Sequence, residues 1–164
     1  MDLKMSLRMW SDTQDLDSVI QDLGGSPTYA YKKGELVHIG RQKRPYVPKR
    51  HSASFPEVEV HDFGGIASWL VSRFDLLEGS ELTASLIRNG IVDAVLWIAV
   101  FNEMRIDVPP VRPEFVERAR SSGIRILIEN YSSDPYPEGE PTGPDDEVRS
   151  SRPKIPTKTW YPEE

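Results

Sequence analysis

The chain has 164 residues, 38% hydrophobic and 28% charged, with a formal charge of -6, which suits one domain with a substantial core and argues against a general nucleic-acid binder, since phosphate neutralisation needs clustered excess Lys and Arg. Without cysteine there is no disulfide framework, thiolate nucleophile or Cys-ligated zinc. No apolar run reaches the roughly 18 residues of a membrane span and "MDLKMSLRMWSD" lacks a long apolar leader core, so the expectation is a soluble, cytoplasmic protein with no membrane partner.

Leu3, Met5, Leu7 and Met9 alternate with Lys4, Ser6 and Arg8, which predicts a strand with one buried face. Asp12 or Thr13 can cap a following helix whose stripe is Leu16, Val19, Ile20 and Leu23, stopped by Gly24 or Gly25. Pro27 forces an extended or turn conformation at Ser26, and Tyr29 to Ile39 suits one strand or a loose hairpin around Gly34. The stretch from Gly40 to Ser54 reads as a basic, proline-punctuated loop. Phe55, Val58 and Val60 mark a short strand. Helices follow at Ile66, Trp69, Leu70 and Phe74, up to Gly79, and at Leu82, Leu86 and Ile87, capped by Ser80 and closed by Asn89 and Gly90.

The apolar run from Val92 to Phe101 predicts a central strand covered on both faces. Pro113 suits a helix N1 position, with Phe115, Val116 and Ala119 leading to Gly123, and Ile124, Ile126 and Ile128 form a last strand ending near Tyr131. Strand, helix, strand at both ends predicts an α+β fold: a two-layer sandwich of one mixed β-sheet with helices mainly on one face, over residues 1–131. Residues 132–164 are proline-rich and acidic, with too few aliphatics to offset their ordering entropy, and are expected to form a mobile tail. Within it, "TKTWYPEE" carries Trp160 and Tyr161, which can dock on the domain or on a partner.

The opening alternating strand, the helix ending in Leu23-Gly24, Pro27, the Lys33-Gly34 turn, the Leu-rich helices, the apolar strand through Trp97 and the helix stopping at Gly123 before Tyr131 together resemble the bacterial domain-of-unknown-function family 4279. The resemblance spans roughly Leu3 to Tyr131 and implies no established chemistry or site residues. The chain departs from the pattern in its basic loop, Arg41 to Arg50, and in its long acidic tail. By analogy with small acidic domains of such families, the resemblance points to immunity-type neutralisation of a bacterial toxin.

Candidate sites divide by chemistry. "LGGSPTYAYKKGEL" has the letters of a phosphate loop, but its glycines close a helix, Pro27 lacks an N–H and the dipole there has the wrong sign. His51, Glu57, Glu59 and His61 suit zinc or manganese by type but lack a ligand spacing. His51, Ser52 and Asp62 lack a nucleophile elbow. No catalytic residue, metal or cofactor is expected. Asp93, Glu103, Asp107 and Glu129 lie near strand ends, where paired carboxylates can serve as acid and base, which gives the alternative reading of a small enzyme or ligand-binding domain. A third reading, nucleic-acid binding through loop 41–50, runs against the overall charge. The leading expectation is a non-enzymatic protein-binding module with a protein partner, such as a toxin. Its contact residues are Arg41, Lys43, Arg44, Tyr46, Lys49 and Arg50 in the basic loop, with Trp160 and Tyr161 near the C-terminus.

Overall fold

A computed structural model describes residues 1–132 and 155–163 of the chain. The opening alternation forms β1 (Asp2–Ser11), and α1 (Asp17–Leu23) follows. Three short strands come next, β2 (Tyr29–Tyr31), β3 (Val37–Ile39) and β4 (Arg44–Tyr46), then β5 (His51–Ser54) and β6 (Val58–Val60). Helices α2 (Gly64–Gly79) and α3 (Glu81–Arg88) lead to β7 (Asp93–Phe101), and α4 (Pro113–Ser122) connects it to β8 (Arg125–Asn130). The last strand is β9 (Thr157–Tyr161).

The main sheet runs β2-β5-β1-β7-β8-β9, while β6 pairs with β1 beside β5, and β3 and β4 form a separate hairpin. It is mixed: β7 and β8 are parallel across the α4 crossover, and the other pairs are antiparallel. The predicted α+β architecture is the observed one. All four helices contribute to a single core, which takes Leu3, Met5, Leu7 and Met9 from β1 and Ala94, Leu96, Ile98 and Val100 from β7. Phe74 of α2 stacks on Phe115 of α4 inside it, with ring centres 6.4 Å apart. Arg118 of α4 closes the layer by binding Asp75 and Glu78 of α2, and the hydrogen bonds it donates to Glu78 and then to Asp75 raise its pKa further.

Several local expectations change. α1 is capped neither by Asp12 nor by Thr13: the Asp15 carboxylate accepts the Asp17 amide at 2.7 Å, which also lowers its pKa. Gly24 is the stop, with φ 67°, where its amide donates to the Gln21 carbonyl. Ser80 holds the cap position of α3, yet its hydroxyl donates back to Leu76; the Asp22 carboxylate takes the Thr83 amide at 3.0 Å and the Thr83 hydroxyl at 2.7 Å instead. The stretch from Gly40 to Ser54 is not a plain loop, because it contains β4 and β5. β5 was hidden by its small residues: Ala53 is buried in the core while Ser52 and Ser54 stand on the other face.

Residues 132–164 are not a tail throughout. In "TKTWY" Lys158 and Trp160 alternate with Thr159 and Tyr161, so the segment offers each face of the sheet a ring and pairs with β8 from Asn130 to Ile126. The rest of the expected mobile tail, residues 133–154 and 164, lies outside the described residues.

Candidate functional site: the helix-free face of the sheet

Parity along β1 determines the second face of the sheet. With Leu3, Met5, Leu7 and Met9 committed to the core, Asp2, Lys4, Ser6, Arg8 and Trp10 must point the other way. The strand register extends each of them into a row. Trp10 lies between Ser52 and Asp93, and Arg8 between Ser54 and Val95, with Arg125 beyond Val95. Ser6 is followed by Trp97, Leu127 and Trp160; Lys4 by Ala99, Glu129 and Lys158. Val95, Trp97, Ala99 and Leu127 form a second, smaller apolar cluster here, bordered by Trp10, Phe101, Tyr131 and Trp160. No helix among the described residues contributes to it.

Cations lie over the rings. The Arg8 guanidinium sits 3.8 Å from the centre of the Trp97 ring, Arg125 4.0 Å from Trp160, and Arg50 4.8 Å from Trp10. Lys4 Nζ is 5.8 Å from the Phe101 ring. A stacked guanidinium uses its face on the ring and keeps its N–H groups at the edge for oxygen acceptors. Near Arg8, Arg50 and Arg125 the face carries Asp93 as its strand carboxylate; toward the other end lie Asp2, Glu59 and Glu129. The guanidinium groups therefore gather at one end of the face, the guanidinium half, while the other end, the carboxylate half, mixes these acids with Lys4 and with Lys158, whose Nζ is 3.8 Å from Glu129 Oε1.

Three neighbouring polar atoms in the guanidinium half are buried without a hydrogen-bond partner among the described residues: Ser6 Oγ, Arg8 Nε and Trp97 Nε1. Ser6 is 1% exposed and Trp97 6%. A buried donor without an acceptor is costly, so a cluster of them in the centre of a face is notable.

The carboxylate half is organised differently. Tyr131 stacks on Phe101 with ring centres 4.9 Å apart and donates its hydroxyl to Glu129 Oε2 at 2.7 Å. Burial first, and the Glu129 hydrogen bond second, raise the Tyr131 pKa. Phe101 and Tyr131 also border a cavity of about 840 Å³ with Met1, Asp2, Glu103 and Met104.

The predicted site residues separate. Arg50 and Trp160 belong to the helix-free face. Arg41, Lys43, Arg44 and Tyr46 lie on the β3–β4 hairpin, where Lys43 has φ 50° and Arg44 Nε donates to Gln42; Lys49 is exposed just beyond it. Tyr161 turns to the helix side and packs on the main core, so it is not on the surface that Trp160 occupies. Of the strand-end carboxylates, Asp93 and Glu103 are at opposite ends of β7, roughly 27 Å of strand apart at about 3.4 Å per residue. Asp107 borders a different cavity from Glu103, and Glu129 is engaged with Tyr131. The structure does not bring the four together.

Among the metal-type residues, His51 accepts the Lys33 amide at 3.2 Å on β5, while Glu59 and His61 meet Asp2 with ligand atoms within 4.8 Å of one another. His61 Nδ1 is 2.9 Å from Asp2 Oδ1, and all three groups are exposed. The lysines of "LGGSPTYAYKKGEL" are engaged as well: Lys32 pairs with Asp17 at 2.9 Å and Asp15 at 3.2 Å, in that order of effect raising its pKa, and Lys33 donates to the Asp12 carbonyl. Sequence reasoning missed Arg8, Trp97 and Trp10 as one site. The signal available was a strand whose polar parity holds Arg8 and Trp10 beside an apolar strand holding Trp97.

Comparison with protein-family models, curated proteins and solved structures finds no match to the chain. No helix among the described residues is long and apolar enough to cross a membrane.

Proposed function

We propose that this chain, placed with the bacterial family 4279 on the order of its elements, is a non-enzymatic protein-binding module of the kind that neutralises a bacterial toxin, and that it binds through the helix-free face of its sheet. The observation that carries the reading is the gathering of Trp10, Trp97, Trp160, Arg8, Arg50 and Arg125 on one face. Trp and Arg dominate the energetics of protein interfaces, where they act as anchors within an otherwise near-neutral contact. Side chains already stacked on one another also lose less conformational entropy on binding than free ones.

The nucleic-acid reading is less well supported. Bases stack on open aromatic faces, whereas Arg8 already lies over Trp97 and Arg125 over Trp160. The enzyme reading loses its support with the dispersal of the four carboxylates.

Affinity capture from the source organism at low salt tests the proposal. The wild-type chain is expected to retain a stoichiometric protein partner that an Arg8→Ala/Trp160→Ala variant releases, and co-expression should relieve that partner's toxicity. Recovery of no stoichiometric partner would overturn the proposal.

A further inference from the structure

We infer that the partner docks a carboxylate-rich segment on the guanidinium half of this face, with one carboxylate seated at Arg8, Trp97 and Ser6; the inference rests on the protein-binding reading above. The orphaned atoms carry the argument. Arg8 Nε–H and Trp97 Nε1–H are donors only, and Ser6 Oγ–H can donate. What all three lack is an acceptor. Ser6 and Trp97 are direct cross-strand neighbours and Arg8 is one pair further along, stacked over the same indole. The three donors therefore belong to one patch whose missing partner is an oxygen with several lone pairs, under a permanent positive charge.

A carboxylate meets each requirement. It accepts a fork of bonds from a guanidinium, and because all three donor atoms are buried, seating it requires the Arg8 side chain to move from its place over the indole. The charge beside it points the same way, since the Arg50 guanidinium lies over the neighbouring Trp10 ring on this face. A phosphodiester shares the charge, but a nucleic acid derives much of its single-strand affinity from base stacking on free rings, and Trp97 is 6% exposed beneath its guanidinium. The occupant is therefore an acidic protein segment.

The test titrates the full chain with a capped glutamate octapeptide and with an oligouridylate of equal charge, following tryptophan fluorescence and calorimetric heat at low salt. The peptide is expected to bind more tightly than the oligonucleotide. Arg8→Lys keeps the charge but removes the fork, and should weaken peptide binding by about tenfold, the factor of a charge-assisted hydrogen bond. Ser6→Ala and Trp97→Phe should each weaken it by a few-fold, while the hairpin variant Arg41→Ala/Lys43→Ala/Arg44→Ala binds as wild type. Thermal unfolding of each variant confirms folding, and Ser6→Ala, which deletes an orphaned group, serves if Trp97→Phe does not fold.

Equal peptide affinity in wild type and Arg8→Lys would overturn the inference, as would tighter binding of the oligouridylate or loss of binding in the hairpin variant alone. Peptide binding that appears only after Asp134, Glu138, Glu140, Asp145, Asp146 and Glu147 are neutralised would also overturn it, by assigning the face to the chain's own acidic run. A captured partner that needs Trp160 but is indifferent to Arg8→Lys would overturn the carboxylate seat and leave the protein-binding reading standing.

Discussion

The two faces of the sheet are built from the same strands by opposite chemistry. On the helix side, β1 and β7 contribute Leu3, Met5, Leu7, Met9, Leu96, Ile98 and Val100, each at most 2% exposed and none with a polar atom able to form a strong hydrogen bond. On the other side the same strands place Lys4, Ser6, Arg8, Trp10, Trp97 and Phe101, and among the described residues cations lie over the rings where the first face has helices. The first face is specified by volume, because aliphatic groups in a packed core have no orientation to satisfy beyond fit. The second is specified by direction, because a guanidinium over an indole still has donors to place. That contrast concentrates packing on one face and unsatisfied donors on the other.

Deleting volume on the helix side should therefore give the largest stability effect. Leu96→Ala or Ile98→Ala removes a fully buried side chain from the centre of β7 and is expected to cost roughly 2–5 kcal/mol through lost burial and a residual cavity. Urea unfolding measures it. Losses below about 1 kcal/mol would mean that the core collapses to fill the space, and the contrast between the faces would narrow.

This contrast also explains what was legible in the sequence. Periodicity reports burial against a layer, so β1, β7, β8, α2 and α4 could be read from the spacing of their apolar residues, Met5 and Met9 of β1 included. β5 could not, because Ser52, Ala53 and Ser54 have neither bulk nor β-branching, and their place is fixed by pairing with β1. β9 follows a proline-rich acidic stretch whose composition masked a five-residue alternation. The site was harder still. Lys4, Ser6 and Arg8 look like any solvated strand face until β7 sets Trp97 beside Ser6, and β8 sets Arg125 within reach of Trp160. Those adjacencies come from strand order, which local pattern does not encode.

A substitution belonging to neither face calibrates the scale. Gly24 has φ 67° and open space where a Cβ would stand, so Gly24→Ala should cost about 1 kcal/mol from backbone conformation alone. Removing the exposed Lys32 side chain should change stability by less, because its pairs with Asp15 and Asp17 are solvent-exposed. If Gly24→Ala proves neutral in thermal unfolding, the left-handed stop is not a determinant of α1.

On the helix-free face, Arg8→Met keeps an unbranched stem against Trp97 and loses the cation. The expected cost is about 0.5–1 kcal/mol, the range of an incompletely buried cation–π contact, with partner binding lost far more than stability. A cost matching that of Leu96→Ala would make Arg8 a core residue in effect, and the separation of the two roles would fail.

The smallest effect is a pH dependence confined to the carboxylate half of that face. Tyr131 is partly buried against Phe101 and donates to Glu129, and both burial and that hydrogen bond favour its neutral form. Its pKa in the folded chain therefore lies above the unfolded value of roughly 10. A group that holds its proton more tightly when folded contributes stability that is whole below the unfolded pKa and is lost as pH rises through the folded one. Wild type and Tyr131→Phe should consequently differ by a constant amount from neutral pH to about 9, with wild type the more stable by at most ~1 kcal/mol for the lost hydrogen bond. Above pH about 10 the gap should close, because the wild-type phenol must then either ionise in an unfavourable site or remain protonated at a cost relative to the unfolded chain. Urea midpoints of the two proteins across that range measure the gap directly, and the other tyrosines cancel in the difference. A gap that stays constant to pH 11 would mean that Tyr131 titrates as it does in water, and one that widens would mean that the nearby Arg8 charge outweighs burial and lowers its pKa; either would show that the packing of Phe101 does not exclude solvent from the phenol.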